Sequence, residues 1–459
     1  MVWGLIDKIA RSVPPAAVAR LYQGTPPWML NRIALHRFRQ TVRYAAKHSP
    51  FYRKAFANLG IDPARVRVPA DLGDFYTTPD DLASRAEEFI CRPPSIVFES
   101  SGTSGKNKQV YYGLDELEEM GVTQAAGLRL MGVGPQDRVA NGFDFSIWIP
   151  GMLTHYALMA AGNFCLAFGK VDPLEVYRRL QQYRFTVIMG EPTWLIRLTE
   201  LAEQHGAVPL KLLIGGAEEM PTAAIPWMEK VWGGAKVKMC YGTVEQGSAL
   251  GFQPCDNHDG YHIDYMDFQS EIIEPDADGY GELVYTTLRR RVMPLIRYRS
   301  RDVTRIETQP CGCGLLAPRM TRLRGRCDEL VVASGGNLYP LMFENILLDV
   351  KELTHDWQVI FTLEGIREVL TIHVESARTD PTAITTEIQQ QAADKYPDLM
   401  KNLALGIFQM RVEMHQPGTL RLGRKLKRMV DRRHYEPALS DAIESIESPR
   451  AVVSAREEN

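Results

Sequence analysis

Between about residue 93 and residue 290, short apolar runs of strand type alternate with longer stretches of helical period. This alternation restricts the chain more than any other feature. Val139-Ala140-Asn141-Gly142 precedes Gly151–Ala161, Phe164–Ala167 precedes Pro173–Tyr183, and Val187–Met189 precedes Pro192–His205. Leu212–Ile214 precedes Pro221–Trp232, and Val237–Cys240 follows. Repeated strand, loop, helix and strand units build a parallel sheet with helices on its faces. Ligands of such sheets bind where loops leave the carboxyl ends of the strands.

Three loops at such ends carry candidate site residues. After Ile96–Phe98 comes Ser100-Ser101-Gly102-Thr103-Ser104-Gly105-Lys106-Asn107-Lys108. Two glycines among hydroxyl and amide side chains make a poor helix or strand but a good loop of exposed N–H groups that can wrap an anion. Lys106 and Lys108 add charge where phosphate would lie, although a polar surface turn has the same composition. The Gly-x4-Gly-Lys-Ser/Thr spacing of the common nucleotide hydrolases is absent. Gly215-Gly216-Ala217-Glu218 and Tyr241-Gly242-Thr243-Val244-Glu245 end the next two strands of interest. There small residues allow close backbone approach, Tyr241 can stack on a base, and Glu245 can hold a magnesium ion.

Residues 1 to about 90 read as helical, with Leu35, Phe38, Val42 and Ala45 on one stripe. Around 260–310 the pattern turns to short strands, Asp267–Glu274, Glu282–Thr287, Leu295–Tyr298 and Val303–Glu307, which read as an antiparallel subdomain. Gly325–Pro340 reads as a linker into a small α+β unit. The fold expected is α/β: a large N-terminal α/β domain (1–327) with an antiparallel β subdomain, a small mobile α+β C-terminal domain (328–440), and a disordered charged tail (441–459).

The 459 residues exceed one typical core. A net charge of −3 gives no electrostatic case for nucleic acid or an acidic membrane. No apolar run reaches the roughly 18 residues a membrane helix needs, and Met1–Ser12 lacks a signal-peptide pattern, so a cytoplasmic location is expected. Seven cysteines in a chain this long are not a disulfide framework. Cys91, Cys165 and Cys240 read as core residues, Cys327 as incidental. Cys255-x2-His258 and Cys311-x-Cys313 can close a tetrahedral zinc site, with His262 the competitor of His258.

Six motifs in order resemble the adenylate-forming superfamily, in its phenylacetate–CoA ligase-like branch. They are Glu99–Lys106, Gly216-Ala217-Glu218, Tyr241–Glu245, Tyr298-Arg299-Ser300-Arg301-Asp302, Gly325-Arg326-Cys327-Asp328 through Gly335 and Pro340, and Gly418-Thr419-Leu420 through Lys425–Arg428. The resemblance implies ATP-dependent activation of a carboxylic acid to acyl-AMP with release of pyrophosphate, then transfer to CoA. Ser100–Lys106 would bind the β- and γ-phosphates, and Tyr241 would stack on adenine beside Gly216, Ala217 and Glu218, with Gly242 at the strand end. Thr243 and Glu245 are the remaining catalytic candidates of that turn, Glu245 as the Mg2+ ligand. Asp302 would bind the ribose with Arg326 nearby, Lys425 would reach the α-phosphate, and Asp328 would be the hinge of the small domain. A structural zinc in the Cys/His region also fits this branch.

Two departures stand out. Val244 replaces the family's hydroxyl before the glutamate, and Arg424 replaces the glycine usual before the lysine, in a segment one residue shorter. The acid's tail is expected near Phe143, Ile147, Trp148 and Met189, whose aromatic content favours an aryl or arylacetic acid. An amine or carrier-protein thiol as acceptor, a nucleotide-binding homologue without catalysis, and a homodimer stay open. A kinase-type phosphotransferase fits poorly, because AMP rather than ADP is the product expected.

Overall fold

The structure, a computed structural model, describes residues 13–100, 107–169, 171–217, 220, 222, 224–256, 259–327, 331–333, 336–364, 367–404, 408–420 and 426–433. Two compact units divide the chain, Met1–Cys327 and Asp328–Asn459.

The large unit opens with helices Pro15–Gly24, Pro27–His48 and Pro50–Asn58, each with proline in its first turn, where the missing N–H is no loss. The longest buries Leu30, Ala34, Phe38, Val42 and Ala45 along one stripe. Ala34 rather than the expected Leu35 faces the core.

The same unit holds a nine-stranded sheet. Its parallel half runs Lys236–Gly242, Leu212–Gly215, Val187–Gly190, Arg138–Asn141 and Phe164–Ala167 in spatial order. Every position of Val187–Gly190 and Leu212–Gly215 is buried, as befits central parallel strands covered on both faces. From Lys236–Gly242 the sheet continues antiparallel through Ala249–Phe252, Gly260–Ile263, Arg319–Thr321 and Ile306–Glu307.

A four-stranded antiparallel sheet follows the order Phe268–Ile273, Gly281–Thr287, Tyr298–Thr304, Gly325–Arg326. Here the expected pair Leu295–Tyr298 and Val303–Glu307 is corrected: one strand, Tyr298–Thr304, spans the gap between them. It does so across a β-bulge. Arg301 takes a left-handed φ of 65°, its N–H donates to Glu282 Oε1 (2.9 Å), and the register shifts between Glu282 and Val284. The bulge re-aims the next residue, Asp302.

The small unit has the sheet order Phe408–His415, Arg367–Ser376, Leu353–Glu364, Met429–Asp431, with helices Pro340–Leu348, Pro381–Lys395 and Pro397–Ala404. Its own core joins Phe343, Val359, Phe361, Ile372, Val374, Ile384 and Ile388. The molecule is thus an α/β fold with a C-terminal α+β domain. Among the described residues no helix is long and apolar enough to cross a membrane.

Candidate active site

Glu245 is buried, and three groups converge on its Oε1. The Ser100 hydroxyl donates to it at 2.9 Å, the Lys108 ammonium lies 2.5 Å away, and the Tyr298 hydroxyl lies 3.5 Å away. Ser100 and Lys108 are register partners in the hairpin of Ile96–Ser100 and Lys108–Tyr112. Both ends of the glycine-rich loop are therefore pinned to one carboxylate. Burial pushes the Glu245 carboxyl up, but the Lys108 ammonium and the Ser100 hydroxyl outweigh it and hold the group below its ordinary value. Arg290 fixes the backbone: its guanidinium donates to the carbonyls of Glu245 (2.7 Å) and Tyr111 (3.0 Å) and lies over the Tyr112 ring.

On the other side of the same turn, the Tyr241 hydroxyl donates to Asp302 Oδ2, and the Arg326 guanidinium donates to Asp302 Oδ1 at 3.1 Å. Asp302 and Arg326 are partners across adjacent strands, and the Asp302 N–H is held by Ser300 Oγ at 3.0 Å. Burial, and then the Asp302 charge, push the Tyr241 phenol well above its ordinary value, so it stays a proton donor. Within the turn, Thr243 N–H donates to Gln246 Oε1 (2.8 Å), and the Gln246 N–H points back to Thr243 Oγ1 (3.4 Å). Val244 packs its side chain into the apolar core, and its carbonyl accepts from the Tyr112 hydroxyl.

The strand ends beside this turn are cut back to glycine for packing reasons. A Cβ at Gly142 or Gly190 would come within 2.7 and 2.8 Å of the Trp194 ring, and one at Gly216 would meet Cys240 Sγ at 3.3 Å and Phe143 Cζ at 3.4 Å. Gly242 likewise abuts Ala249 and Ser248. Phe143 and Met189 are buried in one apolar cluster, with Trp194 beside it. Ile147 is 50% exposed and Trp148 half-buried, so these two do not share that cluster. Ala217 is exposed with a left-handed φ of 67°.

A second cluster joins the antiparallel edge. Cys255 Sγ lies 3.2 Å from Cys311 Sγ and 3.4 Å from His262 Nε2, and Cys313 Sγ lies 3.4 Å from that same nitrogen. The four donor atoms lie within 4.8 Å of one another. His262 Nδ1 faces the Ala317 carbonyl at 2.7 Å. A carbonyl can only accept, so Nδ1 carries the proton and Nε2 presents its lone pair to the sulfurs. Three sulfurs and one imidazole are the donor set of a closed structural zinc site. His262, placed second to His258 on spacing, completes it, while His258 lies outside the described residues. Lys238 braces the loop by donating to the carbonyls of Pro254 (2.7 Å) and Cys255 (2.9 Å).

Ser100, Glu245, Tyr241, Gly242, Thr243, Asp302, Arg326 and Gly216 thus surround one turn. Ser101, Gly102, Thr103, Ser104, Gly105, Lys106, Glu218, Asp328 and Lys425 lie outside the described residues. The contacts of Arg290 and the carboxylate partner of Lys108 were not readable from motifs, because each is made across the fold.

The model of the AMP-binding enzyme matches residues 91–265, and that of the AMP-binding enzyme C-terminal domain matches residues 335–433. Phenylacetate-coenzyme A ligase of Aromatoleum evansii is 29% identical over 427 residues, covering 89% of this chain and 95% of that protein. The Thermus thermophilus protein of the same name is 28% identical over 374 residues, covering 76% and 82%. In fold, the chain matches a 2-hydroxyisobutyryl-CoA ligase, in the postadenylation state with its acyl-AMP, at a TM-score of 0.75 and 22% identity over 92% of this chain and 93% of that one. The chain belongs to the AMP-binding enzymes, and over most of its length it is similar to phenylacetate-coenzyme A ligases.

Proposed function

We propose that this protein is an ATP-dependent acid–CoA ligase acting on an aryl or arylacetic acid. One observation carries the reading: the two ends of the glycine-rich loop meet Glu245 on one side of the Tyr241–Gln246 turn, and Asp302 meets Tyr241 on the other. Phosphate-binding loop, metal-binding carboxylate and ribose-binding carboxylate then follow one nucleotide laid across the strand ends.

In the first half-reaction a carboxylate oxygen of the acid attacks the α-phosphorus, and pyrophosphate leaves with the electron pair of the broken P–O bond. In the second, the thiolate sulfur of CoA attacks the acyl carbonyl, and AMP leaves. The first step brings two anions together, so its barrier is largely electrostatic, and preorganised cations lower it. Residues 100–106 and Lys108 hold the β- and γ-phosphates, Tyr241 stacks on adenine, Asp302 takes the ribose hydroxyls with Arg326 beside it, and Lys425 reaches the α-phosphate. Glu245 is fit to hold Mg2+, since its buried carboxylate already takes a cation in Lys108. Mg2+ supplies neutralisation of the phosphate charge when bound. Zinc on Cys255, His262, Cys311 and Cys313 would cross-link the sheet edge and take no part in the chemistry. Asp328 serves as the hinge about which the small domain withdraws Lys425 between the half-reactions.

A panel of carboxylic acids, assayed for AMP, pyrophosphate and acyl-CoA, tests the reading. An aryl or arylacetic acid should give all three in equal amounts, and ADP as the product would overturn it. A binding-only reading rests on Val244, whose core-packed side chain offers the α-phosphate no hydroxyl. It requires ATP binding with no acid-dependent pyrophosphate.

A further inference from the structure

The small unit carries a cluster that the ligase chemistry does not use. In the parallel pair of Arg367–Ser376 and Phe408–His415, His373 is the register partner of Glu413. Residues two apart in a strand share a face, so His415 joins them. Ile372 and Val374 point the other way, into the core.

The geometry points to a divalent transition-metal site formed by His373, Glu413 and His415 on this sheet face. His373 Nδ1 lies 3.0 Å from His415 Nε2 and 3.4 Å from Glu413 Oε2, and the three donor atoms lie within 4.8 Å of one another. Imidazole and carboxylate ligands bind zinc at about 2.0–2.2 Å, which sets two such ligands about 2.9–3.5 Å apart for angles from 90° to tetrahedral. Both separations fall in that interval. One proton, on His373 Nδ1 or on His415 Nε2, satisfies the contact between the imidazoles, whereas a metal would engage all three donor atoms at once. The imidazoles stack with centroids 5.2 Å apart and planes 27° apart. Glu375, next on the same face, is not a fourth ligand. Its carboxylate is committed to the Gly418 N–H (2.8 Å), the Leu420 N–H (2.6 Å) and the Thr354 hydroxyl (3.0 Å). Two imidazoles and one carboxylate leave coordination positions open and suit zinc, nickel or copper rather than calcium or magnesium.

The test is the zinc content of the full chain after dialysis against micromolar zinc, for wild type, Glu413→Gln, His415→Asn and Cys311→Ser. Glu413 is exposed, so Glu413→Gln should fold with an unchanged Tm in the absence of zinc. Glu413→Gln and His415→Asn should each hold one zinc per chain fewer than wild type. Both should keep the thiolate-to-cobalt absorption of the cysteine cluster when cobalt replaces zinc, whereas Cys311→Ser, with one thiolate fewer, should weaken that absorption. Equal zinc in wild type, Glu413→Gln and His415→Asn would overturn the site.

Discussion

The Lys108 ammonium sits 2.5 Å from Oε1 of Glu245, and both side chains are largely buried. A strand end and a distant turn are locked together by charge at the point where a nucleotide's phosphates would arrive. Magnesium and phosphate would divide this pair between them, the metal going to Glu245 and the ammonium to the phosphate.

Lys108→Met should leave the Glu245 carboxylate buried without its cation, a loss of about 3–5 kcal/mol for a broken buried pair. In the wild type the carboxyl is held below its ordinary 4.5. The pair therefore stabilises the protein above that pH and is lost as pH falls through the depressed value. In the variant, burial still pushes the carboxyl up and the ammonium that opposed it is gone. The stability deficit should then be largest near neutral pH and shrink as pH falls and the carboxyl takes up a proton. Thermal unfolding of both proteins across that range checks the sign.

Glu245→Gln should keep the hydrogen bond from Ser100 and lose the charge that holds magnesium. Acid-dependent pyrophosphate release should fall by about 10²–10³-fold. A fall of less than tenfold would remove Glu245 from the chemistry.

Asp302→Asn and Tyr241→Phe separate two roles of one contact. Loss of the charged acceptor should raise the KM for ATP about 10–100-fold, the value of a hydrogen bond to a charged group. Tyr241→Phe keeps the stacking ring and should change that KM only a few-fold. Steady-state kinetics with ATP varied distinguishes them.

Cys311→Ser should lower zinc content and Tm together, with kcat at low temperature close to wild type, because the contacts of the cluster run among Cys255, His262, Cys311, Cys313 and the Ala317 carbonyl and not to the Tyr241–Gln246 turn. Metal analysis alongside thermal unfolding reads both quantities.

Much of this was legible in the chain. The parallel half of the sheet followed from the strand and helix alternation, since central strands buried on both faces must be continuously apolar, as Val187–Gly190 and Leu212–Gly215 are. Tyr241, Glu245 and Asp302 lie at strand ends or bulges where motif and geometry coincide. What stayed hidden depends on contacts between distant segments. The Lys108–Glu245 pair is one such contact. The gathering of His262 with the three cysteines follows from a strand pairing, Gly260–Ile263 with Arg319–Thr321, that brings the imidazole beside the cysteine loop. The Tyr298–Thr304 strand was split in two because a bulge at Arg301 breaks the period that alternation relies on.

Lys425→Ala tests the division of labour between the half-reactions. Formation of acyl-AMP should be abolished, while thioester formation from pre-made acyl-AMP and CoA should continue near the wild-type rate. Equal loss of both would contradict the role given to this lysine.

The central claim is that a carboxylate attacks the α-phosphorus of ATP to make a discrete acyl-AMP. Exchange of labelled pyrophosphate into ATP, measured with the acid present and CoA absent, tests it most directly. Label should enter ATP only when the acid is present and without any need for CoA. Exchange that requires CoA, or that is absent with every acid while ATP still binds, would contradict it.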